Sequence, residues 1–182
     1  MTRIAIIYHS ERGRTRIVAE EIAKGVQSVT GAQAELVSVT ETIDWALLEQ
    51  CDGLIFGSPT YMGSVSAPFK QFIDSSGEAW LPHRWKNKVA AAFTNSHSYS
   101  GDKLGALMQL AIFAAQHGMI WVGVGDMPEG SEPQHVNRLS SFMGAMTQSD
   151  TTVDPDPPPS GDRKTAFRLG ARVAEIAGKL KA

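Results

Sequence analysis

Polar residues suited to binding a phosphate group follow the first apolar run of the sequence. This segment reads Tyr8-His9-Ser10-Glu11-Arg12-Gly13-Arg14-Thr15 and leads into a helical pattern. The start of a helix presents free backbone N–H groups and the positive end of the helix dipole. The hydroxyl groups of Ser10 and Thr15 can donate hydrogen bonds. Arg12 and Arg14 can offset negative charge. The segment therefore indicates a phosphate cradle; the alternative is an ordinary strand-to-helix turn that Thr15 caps.

Two more polar loops come directly after apolar runs. The first reads Pro59-Thr60-Tyr61-Met62-Gly63, and the second reads Asn95-Ser96-His97-Ser98-Tyr99-Ser100-Gly101. Backbone amides and the ring of Tyr61 suit the edge and the face of a flat heterocycle, and Thr94, Asn95, Ser96 and His97 add polar partners for its edge. A phosphate cradle beside a site for a flat ring describes FMN. Alternatively, Tyr61 is an exposed loop aromatic and His97 a solvated loop histidine.

The elements that position these loops alternate between strands and helices. Strands are predicted at 3–8, 34–39, 52–58, 88–94 and 119–124, and helices after residue 15, near residue 44, and at 67–75, 104–115 and 162–180. This alternation predicts an α/β fold, a doubly wound five-stranded parallel sheet of order 2-1-3-4-5 with helices on both faces. A length of 182 residues fits a single domain, 1–182. Ligands bind such sheets outside the carboxyl ends of the strands, so the three polar loops are predicted to meet in one crevice.

The segment 125–161 shows neither a helical nor a strand period. Its part Asp154–Pro159 is rich in proline and is predicted to be extended. A stretch of this length without regular structure is more often functional or an interface than idle.

Composition and motifs exclude several classes of function. The formal net charge is −2, which argues against a nucleic-acid partner. No apolar run reaches the ~18 residues of a membrane span, and no signal-peptide pattern opens the chain, so we expect a cytoplasmic protein without a span. Cys51 stands alone, cannot form an internal disulfide, and is expected to be buried. The sequence holds no P-loop, no G-x-S-x-G elbow and no metal spacing, and Pro128 interrupts the dinucleotide-like start Gly123-Val124-Gly125.

Five segments carry a resemblance to a known family. They are Tyr8-His9-Ser10 with Gly13, Gly57-Ser58-Pro59-Thr60-Tyr61-Met62-Gly63, Phe72-Ile73-Asp74 leading to Trp80, His117-Gly118-Met119, and Val173-Ala174-Glu175-Ile176-Ala177. In these segments the chain resembles the flavodoxin-like NAD(P)H:quinone oxidoreductases of the WrbA type, over nearly its whole length. The loop 95–101 and the segment 127–133 depart from the pattern of that family.

The resemblance implies a flavodoxin-like fold with tightly but non-covalently bound FMN. Its phosphate would be held by Ser10, Glu11, Arg12, Gly13, Arg14 and Thr15. Its isoalloxazine ring would lie among Pro59, Thr60, Tyr61, Met62, Gly63, Thr94, Asn95, Ser96, His97 and Gly101. The resemblance also implies a homodimer or homotetramer in which a neighbour's loop near Trp80 helps to wall the active site. Trp80, Tyr99 and His117 would then bind substrate.

The leading hypothesis is an FMN-dependent oxidoreductase that transfers two electrons from NAD(P)H to a quinone by a ping-pong mechanism. His97, Tyr99 and His117 are candidates for hydrogen bonding or protonation at the quinone oxygens. For His117 the alternative is a structural place at a helix C-terminus. The rival function is a flavodoxin-type electron-transfer protein with a protein partner. A third hypothesis is a binding or regulatory module that has kept the fold without the cofactor.

Overall fold

The computed structural model describes residues 1–149 and 157–181. In chain order its elements are β1 Thr2–Tyr8, α1 Arg14–Gln27, β2 Ala32–Ser38, α2 Trp45–Gln50, β3 Gly53–Tyr61, β4 Ser64–Val65, α3 Ala67–Ser75, α4 Gly77–Trp80, β5 Val89–Ser96, α5 Lys103–Gln116, β6 Ile120–Trp121, β7 Ala145–Gln148 and α6 Ser160–Lys181. The prediction of an extended conformation for Asp154–Pro159 falls half on residues 154–156, which lie outside these ranges.

The central sheet is parallel and has the order β2-β1-β3-β5-β6. This is the predicted order 2-1-3-4-5, because β5 and β6 are the fourth and fifth parallel strands along the chain. Apolar and buried runs at 4–8 and 53–57 form most of β1 and the first half of β3, as expected for strands buried on both faces. The predicted α/β class is confirmed.

The outer edge of the sheet differs from the prediction, because two short strands share it. The strand expected at 119–124 pairs only through Ile120 and Trp121, which lie beside Val89 and Ala90. The chain then leaves the edge and returns as β7, which pairs in parallel with the second half of β5. Part of the segment predicted to lack regular structure is therefore a sheet strand.

Two hydrophobic cores lie on opposite faces of the sheet. In β1, Ile4 and Ile6 face the core shared with α1 and α6, whereas Ala5 and Ile7 face the core shared with α3 and α5. This alternation follows from the two-residue period of a strand. The first core brings α1 and α6 unusually close, since a Cβ atom at Gly170 would lie 2.1 Å from the carbonyl oxygen of Ile22.

The strands end at different heights along the carboxyl edge, and this positions the three polar loops. β1 ends at Tyr8, opposite Gly57, while β3 and β5 continue side by side, with Pro59 opposite Asn95. The amide of Pro59 faces the side on which β1 has already ended, so its missing N–H costs no ladder hydrogen bond. β3 and β5 thus extend beyond the end of β1, and the first loop lies beside their extended ends. None of the described helices is long and apolar enough to cross a membrane.

Candidate functional site

A cavity of about 390 Å³ opens at the carboxyl edge of β1, β3 and β5. Its volume falls in the range of small-molecule sites, roughly 300–1,000 Å³. All three polar loops contribute to its lining, which consists of Ser10, Glu11, Arg12, Arg14, Thr15, Pro59, Thr60, Tyr61, Asn95, Ser96, His97, Ser98 and Gly101. The loops therefore converge on one crevice, as the topology predicted.

The first loop closes onto the N-terminus of α1. Gly13 precedes the helix with a positive φ of 79°, a conformation that glycine adopts without strain. The Oγ atom of Ser10 accepts a hydrogen bond from the N–H of Arg16 at 3.1 Å. Arg14 and Thr15, in the first turn, are buried. This end of the crevice thus combines helix N–H groups, hydroxyls and guanidinium groups, which is a donor set suited to a phosphate monoester.

The second wall of the crevice is a tight hairpin instead of the loop predicted at Pro59–Gly63. β3 runs on to Tyr61 and turns back into β4 through Met62 and Gly63, whose φ angles are 49° and 75°. Two consecutive positive φ angles are typical of the two-residue turns that join antiparallel strands. The Met62 side chain is fully exposed at the tip.

Hydrogen bonds and close packing with α5 hold the hairpin in place. The Oε1 atom of Gln109 accepts a hydrogen bond from the Ser64 hydroxyl at 3.0 Å and one from the Val65 N–H at 3.3 Å. A Cβ atom at Gly105 would lie 2.5 Å from the Gly63 carbonyl oxygen, so glycine there permits the close packing. The wall that carries Thr60 and Tyr61 is therefore anchored at its outer end.

Tyr61 links the hairpin to the first loop. Burial raises the pKa of its phenol, and the neighbouring carboxylate of Glu11, which also hydrogen-bonds it, raises that pKa further. Arg12 and Arg14 oppose this rise, which places both guanidinium groups near the ring. The phenol remains protonated and can donate a hydrogen bond at neutral pH. An aromatic face next to a cationic cradle suits a flat heterocycle that carries a phosphate.

The third wall is the loop after β5, and β7 braces it. The Oδ1 atom of Asn95 accepts hydrogen bonds from the hydroxyls of Thr147 at 2.7 Å and Ser149 at 3.0 Å. Asn95 itself lines the crevice. The Nε2 atom of Gln148 donates to the carbonyl oxygen of His97 at 2.9 Å. Sequence reasoning missed residues 147–149, and only their alternating side-chain polarity could have indicated an edge strand.

Most of the predicted cofactor residues lie in the lining, and the others support it. Thr94 is fully buried below the crevice, where its hydroxyl lies 2.7 Å from that of Thr60. Gly13, Met62 and Gly63 supply backbone turns. Ser98, which belongs to the predicted loop 95–101, also lines the crevice. Tyr99 is exposed in the same loop, and the guanidinium carbon of Arg138 lies 5.6 Å from the centre of its ring.

Within one chain, Trp80 and His117 lie outside the crevice; the resemblance implies that the loop near Trp80 reaches the active site from a neighbouring copy. α5 begins beside the crevice and ends at His117, at the opposite edge of the sheet, where β6 pairs with the start of β5. The Nε2 atom of His117 lies 3.0 Å from the Ser76 hydroxyl, and its ring stacks on Trp85 with centroids 4.2 Å apart. Burial lowers the pKa of His117 to about 4. The Trp80 indole donates to the carbonyl oxygen of Gln116 at 2.9 Å. Both side chains therefore have contacts within the same chain at that edge, and their predicted role at the substrate stays a prediction.

Comparison with known families supports the same interpretation of the crevice. A family model described as NADPH-dependent FMN reductase matches residues 2–132. The chain belongs to this family. The membership confirms FMN as the cofactor, NAD(P)H as the donor and oxidoreductase as the class. The donor set and aromatic wall of the crevice fit FMN, whose phosphate and flat ring need these two environments.

Individual relatives carry two kinds of name. The chain is 38% identical over 190 residues to "Flavodoxin FldP" of Pseudomonas aeruginosa, with both chains fully covered. It is 34% identical over 204 residues to an "NAD(P)H dehydrogenase (quinone)" of Archaeoglobus fulgidus, covering 99% of this chain and all of the relative. Among solved structures, a flavodoxin, WrbA-like protein from Agrobacterium tumefaciens is 35% identical with a TM-score of 0.78, covering 98% of this chain and 99% of that one. This similarity confirms the flavodoxin-like fold and the resemblance to the WrbA type.

Proposed function

We propose that the protein transfers two electrons from NAD(P)H to a quinone through FMN bound in the crevice, by a ping-pong mechanism. The observation that carries the proposal is the meeting of a cationic, hydroxyl-rich cradle and an aromatic wall in one cavity. The name of the Archaeoglobus fulgidus relative, an NAD(P)H dehydrogenase (quinone), supports the choice of acceptor. When bound, FMN supplies the acceptance of a hydride and the return of both electrons.

The residues of the crevice bind and orient in this proposal. Ser10, Arg12, Arg14 and Thr15 would hold the phosphate, because they surround the N-terminus of α1. Thr60, Asn95, Ser96 and His97 would hydrogen-bond the edge of the ring, and Tyr61 would flank its face. The side chain of Asn95 is held in place because its Oδ1 atom accepts hydrogen bonds from the hydroxyl groups of Thr147 and Ser149.

A single crevice implies that the two substrates take turns. A nicotinamide and a quinone are both flat, and each must lie against the exposed part of the same bound ring. They therefore exclude one another, and the donor has to leave before the acceptor enters. His97 and Tyr99 are exposed in the loop 95–101 and are the candidates to donate a hydrogen bond to the quinone oxygen.

Initial-rate kinetics test this order. Varied NAD(P)H at several fixed concentrations of benzoquinone is expected to give parallel double-reciprocal lines, and each substrate at high concentration should compete with the other. Lines that intersect would show a ternary complex and would contradict the ping-pong mechanism.

A second candidate function is electron transfer between proteins. It is favoured by the 38% identical relative that is named a flavodoxin. Electron carriers of that kind dock through complementary charge, and the net charge of −2 offers only a weak acidic field. We therefore rank the enzyme first.

We also propose that copies of the chain associate through α5. Leu104, Met108 and Ile112 form a stripe at four-residue spacing on its outer side, and they are 53%, 43% and 57% exposed. Such a stripe on a helix is usually covered. Sedimentation of the wild type and of a Met108→Glu, Ile112→Lys variant tests the proposal, with a dimer or tetramer expected only for the wild type. Cys51 is a free and buried cysteine, which suits a reducing compartment, and we propose a cytoplasmic location on that ground.

A further inference from the structure

Lys103 is a buried lysine directly beneath the loop 95–101. It is the first residue of α5, and none of its surface is exposed. Its Nζ atom donates hydrogen bonds to the carbonyl oxygen of Ser98 at 2.5 Å and to that of Tyr99 at 2.9 Å. Because a buried ammonium group is costly unless its donors are satisfied, the loop carbonyls and Lys103 hold one another in place.

Two charged groups from other elements face Lys103. Asp162 lies on α6, and its carboxylate forms a two-bonded ion pair with Arg138 at 2.7 and 3.0 Å. The same carboxylate accepts a hydrogen bond from the Gln148 N–H at 2.9 Å. Burial lowers the pKa of Lys103 to about 8, with Asp162 raising it and Arg138 lowering it. The loop carbonyls therefore provide the direct partners of this ammonium, and the hydrogen bond from the Gln148 N–H to Asp162 joins β7 to α6.

The two hydrogen bonds of Lys103 also fix the direction of the loop N–H groups. A trans peptide is planar, and its N–H points opposite to its C=O. With the carbonyls of Ser98 and Tyr99 turned inward, the N–H groups of Tyr99 and Ser100 point outward. Among the residues that the structure describes, neither N–H donates to another backbone group outside the regular elements. The flanking residues Ser98 and Gly101 line the crevice, whereas Tyr99 and Ser100 line a neighbouring cavity beside Arg138.

We propose that Lys103 is a positioning residue of the FMN site, which holds the loop 95–101 in the conformation in which Ser98 and Gly101 line the crevice. The inference rests on the crevice being the FMN site. Lys103 itself contacts neither cofactor nor substrate, so it acts through the loop. Its role differs from that of the crevice lining, because the side chain is hidden behind the wall that it shapes.

The test compares Lys103→Met with Lys88→Met by fluorescence titration of FMN. Lys88 is a matched control, since it is partly buried and its Nζ atom also donates to two carbonyl oxygens, those of Glu49 and Cys51, at the opposite edge of the sheet. We expect Lys103→Met to weaken FMN binding by roughly tenfold, the value of one lost hydrogen bond of about 1.4 kcal/mol. Lys88→Met should lower the unfolding temperature but leave FMN affinity unchanged.

The pH profile of FMN affinity separates positioning from a purely structural role. The ammonium holds the loop below a pH of about 8 and loses its proton above it. Wild-type affinity should therefore fall as the pH rises through this value. Lys103→Met should show the lower affinity at every pH, without this step. Lys103→Gln, which is neutral but keeps an N–H donor, should bind with intermediate affinity and also lack the step.

Failure of the inference about Lys103 can be distinguished from failure of the proposed function. If Lys103→Met binds FMN within twofold of the wild type, or if the wild-type profile is flat around pH 8, the positioning role is wrong. The wild-type profile decides the matter even if the methionine variant does not fold. An Arg12→Gln variant tests the crevice itself: if it loses affinity while Lys103→Met does not, only the inference about Lys103 fails. If neither loses affinity, FMN binds elsewhere.

Discussion

The hydroxyl groups of Thr60 and Thr94 lie 2.7 Å apart and join β3 to β5 below the crevice. Both residues are buried, and they come from strands that the fold brings side by side. A pair of hydroxyls in this position satisfies both groups, so each protects the other from the cost of an unpaired buried polar group.

This hydrogen bond predicts that substitutions of Thr60 and Thr94 have non-additive effects on the free energy of unfolding. Thr60→Val or Thr94→Val alone leaves one hydroxyl unpaired and should cost about 1–2 kcal/mol of unfolding free energy. The double variant should cost clearly less than the two single losses together. Urea unfolding of all four proteins measures the coupling. Additive losses would show that the hydroxyls do not interact.

The phosphate cradle predicts a change that depends on the ligand. Arg12→Gln should weaken FMN binding by about tenfold to a hundredfold, because a charged hydrogen bond to phosphate is lost. Riboflavin, which lacks the phosphate, should bind this variant and the wild type equally. Arg16→Gln is the control, since Arg16 is exposed and pairs with Glu20 at 2.9 Å outside the crevice lining. An equal loss for both flavins would contradict the assignment of this end to the phosphate.

The lowered pKa of His117 predicts that the free energy of unfolding falls under acidic conditions. The folded state holds its pKa at about 4, whereas the unfolded chain has the ordinary value of about 6.5. The unfolded state therefore binds the proton first, and stability is lost as the pH falls from about 6.5 toward 4. The full effect is of the order of 3 kcal/mol.

Replacement of His117 isolates this effect from other titrating groups. His117→Gln should flatten the difference in unfolding free energy between pH 7 and pH 4.5 relative to the wild type. Its FMN affinity at pH 7 should match the wild type, because His117 lies at the other edge of the sheet. A loss of FMN affinity with unchanged stability would support the role in the site that the sequence resemblance implies.

The close contact of α1 and α6 predicts that two Gly→Ala substitutions in α6 change the stability of the fold in opposite directions. Gly170→Ala would place a Cβ atom 2.1 Å from the Ile22 carbonyl oxygen, so it should destabilise by about 1–3 kcal/mol or more. Gly178→Ala would meet only the Thr2 hydroxyl at 3.4 Å. There the helix preference of alanine should stabilise by about 0.5–1 kcal/mol. Thermal unfolding compares the two variants, and equal destabilisation by both would contradict the packing.

The sequence predicted the sheet order and the meeting of three loops because those features depend on strong local patterns. Most of β1 and the first half of β3 are continuous apolar runs, and the rules for parallel sheets then place their carboxyl ends together. The conversion of Pro59–Gly63 into a hairpin was not predicted. Met62 takes a positive φ only because pairing between β3 and β4 compensates for it.

β7 shows where sequence reasoning failed. Ala145–Gln148 has only four residues, and it becomes a strand because β5 offers a free edge there. The role of His117 at the substrate stays a prediction from the resemblance. Within one chain the length of α5 separates it from the crevice, because 14 residues at about 1.5 Å each span roughly 21 Å.

The most direct test of the proposed function is anaerobic stopped-flow absorbance of the FMN-loaded protein. It is mixed first with NADH or NADPH and then with benzoquinone. The proposal predicts rapid bleaching of the flavin absorbance by one of the nucleotides, and full recovery after one equivalent of quinone. If neither nucleotide bleaches the flavin on the timescale of turnover, while a one-electron donor does, the protein is an electron carrier and the two-electron transfer from NAD(P)H to a quinone is wrong.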